Sequence, residues 1–572
     1  MAPRVPAPDA THSPGAVLAA AERLRAVFGG PAATAKLSLL ARLASAELGS
    51  PRDVLRLHEL LCFWRAYPDS RAVLRRVEDL LAAFSARGDL RRHAARLTDT
   101  GIAGTEIRFR FFAPTAAWLA ERWPDRLRVD WASLDAEALE PWLPHLVHPA
   151  EIPALDEYDL SLAQWVARLK GPRESDAAFL VKRLERLPMS EDARETLYDA
   201  IDPPLRLRPG PGTPSRTAAR IAVRGVALSW QRGPLDRRRP ARAAIRRARP
   251  GAVREAAPRE ATALIDLARS AMVTRSRDLD AFSNGDPRDV RVVECGEGLA
   301  FACIGTRPER RLLLESVYGY LTLKNGVPIG YVLTASLFGS AELAYNVFDT
   351  YRDAEAGKVY GQVMGTAHRL FGCDAFTIPP YQLGDGNDEA LASGAWWFYQ
   401  KTGFAPRDAG ASRLMRRELK RLARDPRHRS SLATLRRLAR VPLHLWLGTP
   451  RTDVMGALPL ANVGFHVSHL LSRRFGHDRE TATRVCAAEA TAALRGGPDR
   501  EWTAEERHAW ERWAPLVVLL GVSSWNARER ADLIGVIRAK GGRRESDYVL
   551  RFDRHRRLRE AIRRLVRRIP PR

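Results

Sequence analysis

The first part of the chain repeats apolar residues at helical spacing. From about residue 16 to residue 199 they recur three and four positions apart, as in DVLRLHELLCFWRAY and AVLRRVEDLLAAFSAR. This period places them on one face of an α-helix, and proline and glycine mark the breaks between helices. The pattern predicts a helical N-terminal domain over residues 1–202. Residues 101–112, GIAGTEIRFRFF, alternate instead, which is typical of a strand.

The middle of the chain changes to short alternating runs. VRVVECG and LAFACIG are followed by a longer segment that begins VYGYLTLKNGVPIGYVLTASLFG. Asn325 and Gly326 lie between two of its alternating runs, and this pair favours a type I′ hairpin turn because both turn positions need positive φ. The pattern predicts three antiparallel strands at about residues 317–324, 327–337 and 341–348. An amphipathic helix and a further strand in DAFTIPPYQL are expected to follow.

Composition separates two more segments. Between residues 203 and 258 arginine, proline and glycine dominate, which predicts a linker, although RIAVRGVALSW within it alternates enough to predict a strand. From residue 411 to 572 the helical period returns, and the chain finishes on a strongly basic helix. The predicted fold is therefore α+β, with a mixed or antiparallel sheet domain at residues 259–410 between helical N- and C-terminal domains.

The chain is strongly basic, with a net charge of +25 over 572 residues. Clustered arginine and lysine bind polyanions by releasing counterions from phosphates. Here arginine is accompanied by abundant alanine, glycine and proline, as GC-rich coding produces, and the charge is spread along amphipathic helices whose polar faces are normally solvated. Weak nucleic-acid association through Arg-rich segments is one hypothesis, and it requires one contiguous basic face.

Cysteine, histidine and hydropathy patterns exclude several classes of protein. The five cysteines are scattered without C-x-x-C spacing, so we predict neither disulfides nor a zinc site, and a cytoplasmic location. His145 and His148 lack a third ligand, so no metal is predicted. The first apolar stretch contains Glu22 and Arg25, which excludes a signal peptide there, and no run of about 18 apolar residues predicts a membrane span.

A crowded aromatic segment, SGAWWFYQKTGF, closes the central region. The predicted order of hairpin, third strand, the turn YRDAEAG, a helix, a strand and a helix ending FYQKTGF resembles the GNAT family of acetyl-CoA dependent N-acetyltransferases. The resemblance covers about residues 261–407, and with its long flanks the chain resembles a bacterial group of GNAT-like proteins. Trp396 and Trp397 are expected to be core residues that help to close the acyl-CoA slot.

The resemblance implies a binding site for acetyl-CoA. Its pantetheine arm would pair with the end of the third strand, and its pyrophosphate would lie on the next turn, at a helix N-terminus where free amides attract anions. One departure is Glu355, which places a side chain and a negative charge where the family has its first glycine. The residues that the resemblance assigns to the cofactor are Val347, Phe348, Asp349, Arg352, Ala356, Gly357 and Lys358.

The resemblance also implies the catalytic groups. The tyrosine of the FYQKTGF pattern, Tyr399, would be the general acid for the departing thiolate of coenzyme A. Glu342, at the start of the third strand, is the best-placed general base, with Asp349 at its far end as the other candidate. A packed aromatic residue and surface charges at strand ends are the structural alternatives for these positions.

Three functions follow as hypotheses. The first is an acyl-CoA dependent N-acyltransferase, in which an unknown amine acceptor attacks the thioester directly. The second is a GNAT-like scaffold that has lost catalysis, which Glu355 favours. The third is a basic protein associated with nucleic acid. The sequence leaves the acceptor, the acyl chain and the oligomeric state open.

Overall fold

The structure combines many helices with one large sheet. A computed structural model describes residues 13–247 and 251–568. The structure is 55% helical and 12% strand. Helices flank a large mixed sheet, which confirms the predicted α+β class. Residues 1–12, 248–250 and 569–572 lie outside the described residues. They belong to the predicted N-terminal domain, the predicted linker and the predicted basic helix at the end of the chain, respectively.

The chain up to residue 202 is mainly helical, as the apolar period predicts. Serine hydroxyls cap several of these helices by accepting an amide N–H of the first turn, for example Ser50, Ser70 and Ser175. The α-helices are α1 (Pro14–Arg23), α2 (Gly30–Ser45), α3 (Pro51–Ala66), α4 (Arg71–Ala82), α5 (Gly88–His93), α6 (Ala113–Arg122), α7 (Ala136–Leu139), α8 (Leu143–Leu146), α9 (Ile152–Glu157), α10 (Leu162–Leu169), α11 (Asp176–Glu185) and α12 (Glu191–Ile201).

A small antiparallel sheet lies among these helices. Its strands are β1 (Ile107–Phe109), β2 (Leu127–Val129) and β3 (Leu205–Leu207), in the order β1-β3-β2. Strand β1 confirms the alternation seen in residues 101–112. The strand predicted for residues 220–230 is wrong, because the structure has no strand there.

The central region carries the remaining strands. Its helices are α13 (Arg242–Arg247), α14 (Pro258–Val273), α15 (Asp280–Ser283), α16 (Ala356–Phe371), α17 (Pro380–Leu383), α18 (Asp388–Ser393), α19 (Ala395–Thr402), α20 (Ala409–Arg424) and α21 (Leu432–Ala439). Its strands are β4 (Val253–Glu255), β5 (Gly285–Glu294), β6 (Leu299–Thr306), β7 (Ser316–Lys324), β8 (Val327–Leu337), β9 (Ser340–Val347), β10 (Ala375–Ile378), β11 (Ala405–Pro406) and β12 (Leu443–Trp446).

These nine strands form one sheet in the order β11-β12-β10-β9-β8-β7-β6-β5-β4. Strand β10 runs parallel to β9, whereas β8 and β9 are antiparallel. The predicted hairpin is confirmed to within one residue at its strand ends. Asn325 and Gly326 have φ of 52° and 77°, which is the left-handed pair that a type I′ turn needs.

The last part of the described chain is helical, as predicted. The basic helix at its end buries Leu558, Ile562, Leu565 and Val566 and leaves its arginines on the outer face. The helices are α22 (Asn462–Phe475), α23 (Arg479–Leu494), α24 (Ala504–Leu520), α25 (Ala527–Gly541), α26 (Glu545–Arg554) and α27 (Arg556–Arg567). No helix among the residues described is both long and apolar enough to span a bilayer.

The chain forms two compact units. The first contains residues up to Leu235 together with 262–284 and 323–329, the last being the tip of the β7–β8 hairpin. The second contains residues 236–261, 285–322 and 330 onward, and therefore most of the nine-stranded sheet. The division into four segments inferred from composition stays a prediction.

Candidate functional site

The candidate site begins where two parallel strands of the second unit separate. Pairing between β9 and β10 covers only three residues of each strand and ends at Glu342 opposite Thr377. On its other edge β9 pairs with β8 as far as Val347. Residues 343–347 therefore present a strand edge that β10 does not cover, with backbone donors and acceptors facing the gap.

Helix α19 brings Tyr399 to this open edge. The helix begins after Gly394 and ends at Gly403, both in the left-handed region, so the aromatic segment forms a two-turn helix between glycine caps. Tyr399 is 3% exposed, and its hydroxyl oxygen accepts a hydrogen bond from the backbone N–H of Tyr345 in the uncovered part of β9. Burial raises the pKa of Tyr399 above the ordinary tyrosine value, so the phenol is neutral at physiological pH.

Two more tyrosines complete an aromatic wall beside Tyr399. The ring of Tyr360, on α16, lies 5.6 Å from the Tyr399 ring and 5.0 Å from the Tyr345 ring. The Tyr345 hydroxyl donates to Ala356 O at 3.3 Å. The Tyr360 hydroxyl is fully buried and has no hydrogen-bond partner among the described residues. Trp396 is a buried core residue of the same helix as Tyr399 and donates to Leu438 O at 3.2 Å.

The predicted pyrophosphate turn leads into α16. Ala356 is the first residue of this helix, and Glu355 precedes it as the N-cap residue. Glu355 has φ of −117°, so the backbone does not require glycine there. Its side chain is 4% exposed; the carboxylate accepts the backbone N–H of Asp236 at 3.3 Å and lies 3.7 Å from Lys358 Nζ. The negative charge at this turn is therefore turned inward and partly neutralised.

Lys358 has a second acidic neighbour. Its ammonium group pairs with Glu297 as well as with Glu355. Burial, the largest single effect, favours the neutral amine, but the hydrogen bond to Glu297 and the charges of Glu355, Glu297 and Asp236 together outweigh it and hold the pKa of Lys358 above its usual value. The lysine is thus a permanent cation in the first turn of α16.

The other residues assigned to the cofactor take different positions. Val347 is the last residue of β9, and Phe348 is buried just beyond it. Asp349 is largely exposed and pairs with Arg352 at 2.7 Å. Arg352 also pairs with Glu389, so two carboxylates engage the guanidinium that was expected to meet the pyrophosphate.

A segment of the predicted linker lies on the glycine face of α16. A methyl group at Gly361 would come within 2.2 Å of Pro240 Cγ, and one at Gly357 within 3.1 Å of Arg239 Cγ. Only glycine lets this segment approach the helix so closely. The Arg239 guanidinium lies 5.8 Å from the centre of the Phe398 ring, and the arginines at 237–239 are exposed. The turn predicted to hold pyrophosphate thus has a basic chain segment beside it.

The candidate base belongs to a polar row that crosses three strands. Glu342 pairs with Thr377 of β10, and Thr377 pairs with His444 of β12, so the three side chains share one face. Tyr345 is an odd number of residues from Glu342 and therefore lies on the other face, toward α16. Burial, with the nearby charge of Glu315, raises the pKa of Glu342. A carboxylate with a raised pKa is a better proton acceptor than an exposed one.

His444 has a defined tautomer. The Thr377 hydroxyl donates to Met455 O at 2.7 Å, so it accepts from His444 Nδ1–H at 3.0 Å, which leaves Nε2 as an acceptor. Burial, and to a lesser extent Arg407, lowers the pKa of His444 to about 4. Sequence reasoning missed both residues. The alternation of VPLHLWLG could have indicated a strand with His444 in it, but nothing local shows that this strand joins the sheet beside β10.

The depressed pKa of His444 predicts a pH-dependent stability. Between pH about 6.5 and about 4 the unfolded chain binds a proton at this position and the folded chain does not, so the free energy of unfolding decreases as pH falls. The loss is expected to be about 3 kcal/mol and to level off below pH about 4. Urea unfolding of wild type and His444→Asn across this range measures it. An unchanged pH slope in the variant would contradict the assignment.

The structure brings Tyr399 and the open edge of β9 together and places Glu342 on the opposite face of the same strand. It does not leave Arg352 or Glu355 free to face a ligand. Within residues 13–247 and 251–568, no group of three His, Cys, Asp or Glu side chains is arranged to hold a metal ion.

Comparisons with family models, curated proteins and solved structures gave no significant match. The geometry of this site is therefore the basis for assigning a function.

Proposed function

We propose that the protein is a GNAT-type N-acyltransferase that transfers an acetyl group from acetyl-CoA to an amine. The observation that supports this most directly is the uncovered edge of β9 with the Tyr399 hydroxyl against its backbone. A pantetheine arm is extended and carries two amides, so it can pair with a strand edge as an added strand does. Its thioester would then lie near a neutral phenol.

The chemistry requires two proton-handling groups. The amine nitrogen attacks the thioester carbonyl carbon, the C–S bond breaks, and the amine loses a proton. Glu342 lies where the β9–β10 pairing ends, on the face opposite to the aromatic wall. In this proposal the amine approaches from that face, and Glu342 accepts its proton directly or through water. Because burial raises the pKa of Tyr399, this phenol acts chiefly as a hydrogen-bond donor to the departing thiolate.

The phosphate end of the cofactor would meet a different set of charges from the family pattern. Lys358, which is already paired with Glu297 and Glu355, lies in the first turn of α16, where the helix dipole also favours an anion. Arg237 and Arg239 are exposed along the same turn, whereas the neighbouring Arg238 pairs with Asp236. In this proposal they supply the positive charge that offsets Glu355, and Arg352 serves to anchor the loop through Asp349 and Glu389.

A second candidate function is a scaffold that no longer binds the cofactor. It is favoured by the contact of Pro240 and Arg239 with Gly361 and Gly357, since this segment lies on the helix face next to the predicted pyrophosphate turn. In that case the central domain would hold the helical flanks in place, and the aromatic wall would be part of the core.

Calorimetric titration with acetyl-CoA separates the two functions. Wild type, Glu355→Gly and Asp353→Gly are compared; the last removes the same charge from an exposed position in the same loop. Binding by wild type with a micromolar Kd supports the enzyme and justifies a screen of amine acceptors for thiol release. Binding by Glu355→Gly alone would show that Glu355 closes the site and would favour the scaffold. Failure of all three to bind would contradict the acyltransferase.

A further inference from the structure

Helix α20 presents a basic stripe to solvent. At 100° per residue its six basic residues fall within an arc of about 140° on one face. All of them are exposed in the structure. Such a stripe meets the requirement for one contiguous basic face, which the overall charge of the chain alone does not meet. The stripe consists of Arg413, Arg416, Arg417, Lys420, Arg421 and Arg424.

The acidic and apolar residues of α20 are turned away from this stripe. Glu418, the carboxylate within the helix, is 1% exposed and accepts hydrogen bonds from the Ser430 hydroxyl and from His428. Its leucines and methionine are half-buried, and the helix packs against α21 and β11. Within the stripe, Arg421 is the residue with an ion pair among the described contacts, at 2.9 Å from Glu418. The other five residues of the stripe have no ion pair with any residue that the structure describes.

The basic surface continues beyond the helix. Arg427 and Arg429 follow in the next loop and are exposed as well. Residues 409–429 contain eight arginine and lysine residues and two acidic ones, a net charge of +6 in a chain whose total is +25. About a quarter of the net charge is therefore concentrated in 21 residues.

We propose that the α20 stripe binds the phosphate backbone of duplex nucleic acid. A 16-residue helix is about 24 Å long and so spans several phosphates of a duplex, which carries one charge per about 1.7 Å of axis. Contacts to phosphate oxygens carry no sequence information, so binding through the stripe is expected to be largely independent of sequence. This inference is independent of the acyltransferase proposal.

An anionic membrane fits this surface less well. Helices that lie on membranes insert an apolar face into the interface. The apolar face of α20 packs against its own unit, and none of the large exposed apolar residues of the described chain lies in this helix. Attraction through the stripe would then be purely electrostatic, for which a duplex offers the higher charge density.

Fluorescence anisotropy with a labelled DNA duplex of about 20 base pairs tests the proposal, with salt varied between about 50 and 200 mM. The variant R416E/R417E/K420E reverses half of the stripe. The control R52E/R71E/R75E reverses three exposed arginines of α3 and α4, so both variants lose the same charge. Circular dichroism verifies that each remains folded, and R416Q/R417Q/K420Q repeats the test without added acidic groups.

Wild type is expected to bind with an affinity that falls steeply with salt. The stripe variant should bind roughly tenfold more weakly or worse, and the slope of log K against log salt should decrease by about 3, one for each lost phosphate contact. The control should change affinity by less than about threefold. Any of three results would overturn the proposal. The two variants could lose affinity equally, or wild type could fail to bind at low salt. The third is that wild type binds phosphatidylserine vesicles more tightly than the duplex.

Discussion

Replacing Glu342 by glutamine is expected to lower kcat/KM for acetyl transfer by about 100-fold, because a positioned general base contributes roughly 10²–10⁴ to rate. Glutamine keeps the size of the side chain and removes its ability to accept the amine proton. The wild-type rate should fall as pH decreases through the pKa of Glu342, which burial raises above the ordinary glutamate range. In the variant this acidic limb of the pH profile should disappear. Thiol release measured against pH gives both results.

Glu315→Gln is the matched control for this prediction. The charge of Glu315 contributes to the raised pKa of Glu342, so its removal should shift the acidic limb to lower pH without a loss of maximal rate. A Glu342→Gln enzyme that keeps the wild-type rate and pH profile would remove Glu342 from the mechanism. If the acidic limb persists in Glu342→Gln and does not move in Glu315→Gln, a group other than Glu342 is responsible for it.

Local patterns predicted the parts of the fold that local interactions determine. The β7–β8 hairpin follows from Asn325 and Gly326 alone, and the end of α16 follows from Gly372, which adopts φ of 69°. The position of β12 has no such local signal. Two helices separate it from β11, and it enters the sheet between β11 and β10 through pairing across 67 residues at Thr377 and His444.

The incorrect strand at residues 220–230 shows how a non-local partner overrides alternation. The backbone of this segment bonds to the hairpin tip within the first unit: Ile221 N–H donates to Gly326 O at 3.0 Å, and Ser229 N–H donates to Asn325 Oδ1 at 2.8 Å. Asn325 Nδ2 donates to Ser229 O and Ala66 O in return. The segment satisfies its backbone through a turn and not through a strand, so period-2 alternation was insufficient.

The candidate site divides in the same way. The aromatic segment that contains Tyr399 could be identified from sequence because its residues are consecutive. The ion pair of Arg352 with Glu389 and the inward direction of Glu355 could not, since the partners Glu389 and Asp236 lie 37 and 119 residues away. The sequence was thus sufficient to identify the candidate residues, but the charged partners that determine what these residues can bind are known only from the tertiary structure.

Replacing Tyr399 by phenylalanine is expected to lower turnover roughly 10- to 100-fold, because a hydrogen bond to a charged group contributes about 1.5–3 kcal/mol. Phenylalanine keeps the ring contacts with Tyr360 and Phe404 and removes the donor for the departing thiolate. The Kd for acetyl-CoA should change little, since the thioester sulfur carries no charge before the reaction. Steady-state turnover and calorimetric titration of the same variant measure the two quantities.

Tyr360→Phe provides the control for Tyr399→Phe within the same aromatic wall. The Tyr360 hydroxyl has no partner among the described residues, so its removal relieves a buried unsatisfied group and should leave turnover unchanged. A loss in Tyr399→Phe but not in Tyr360→Phe assigns the effect to one hydroxyl and not to loosened packing. Equal losses would indicate that the wall acts by shape, and wild-type turnover in Tyr399→Phe would exclude this phenol from the chemistry.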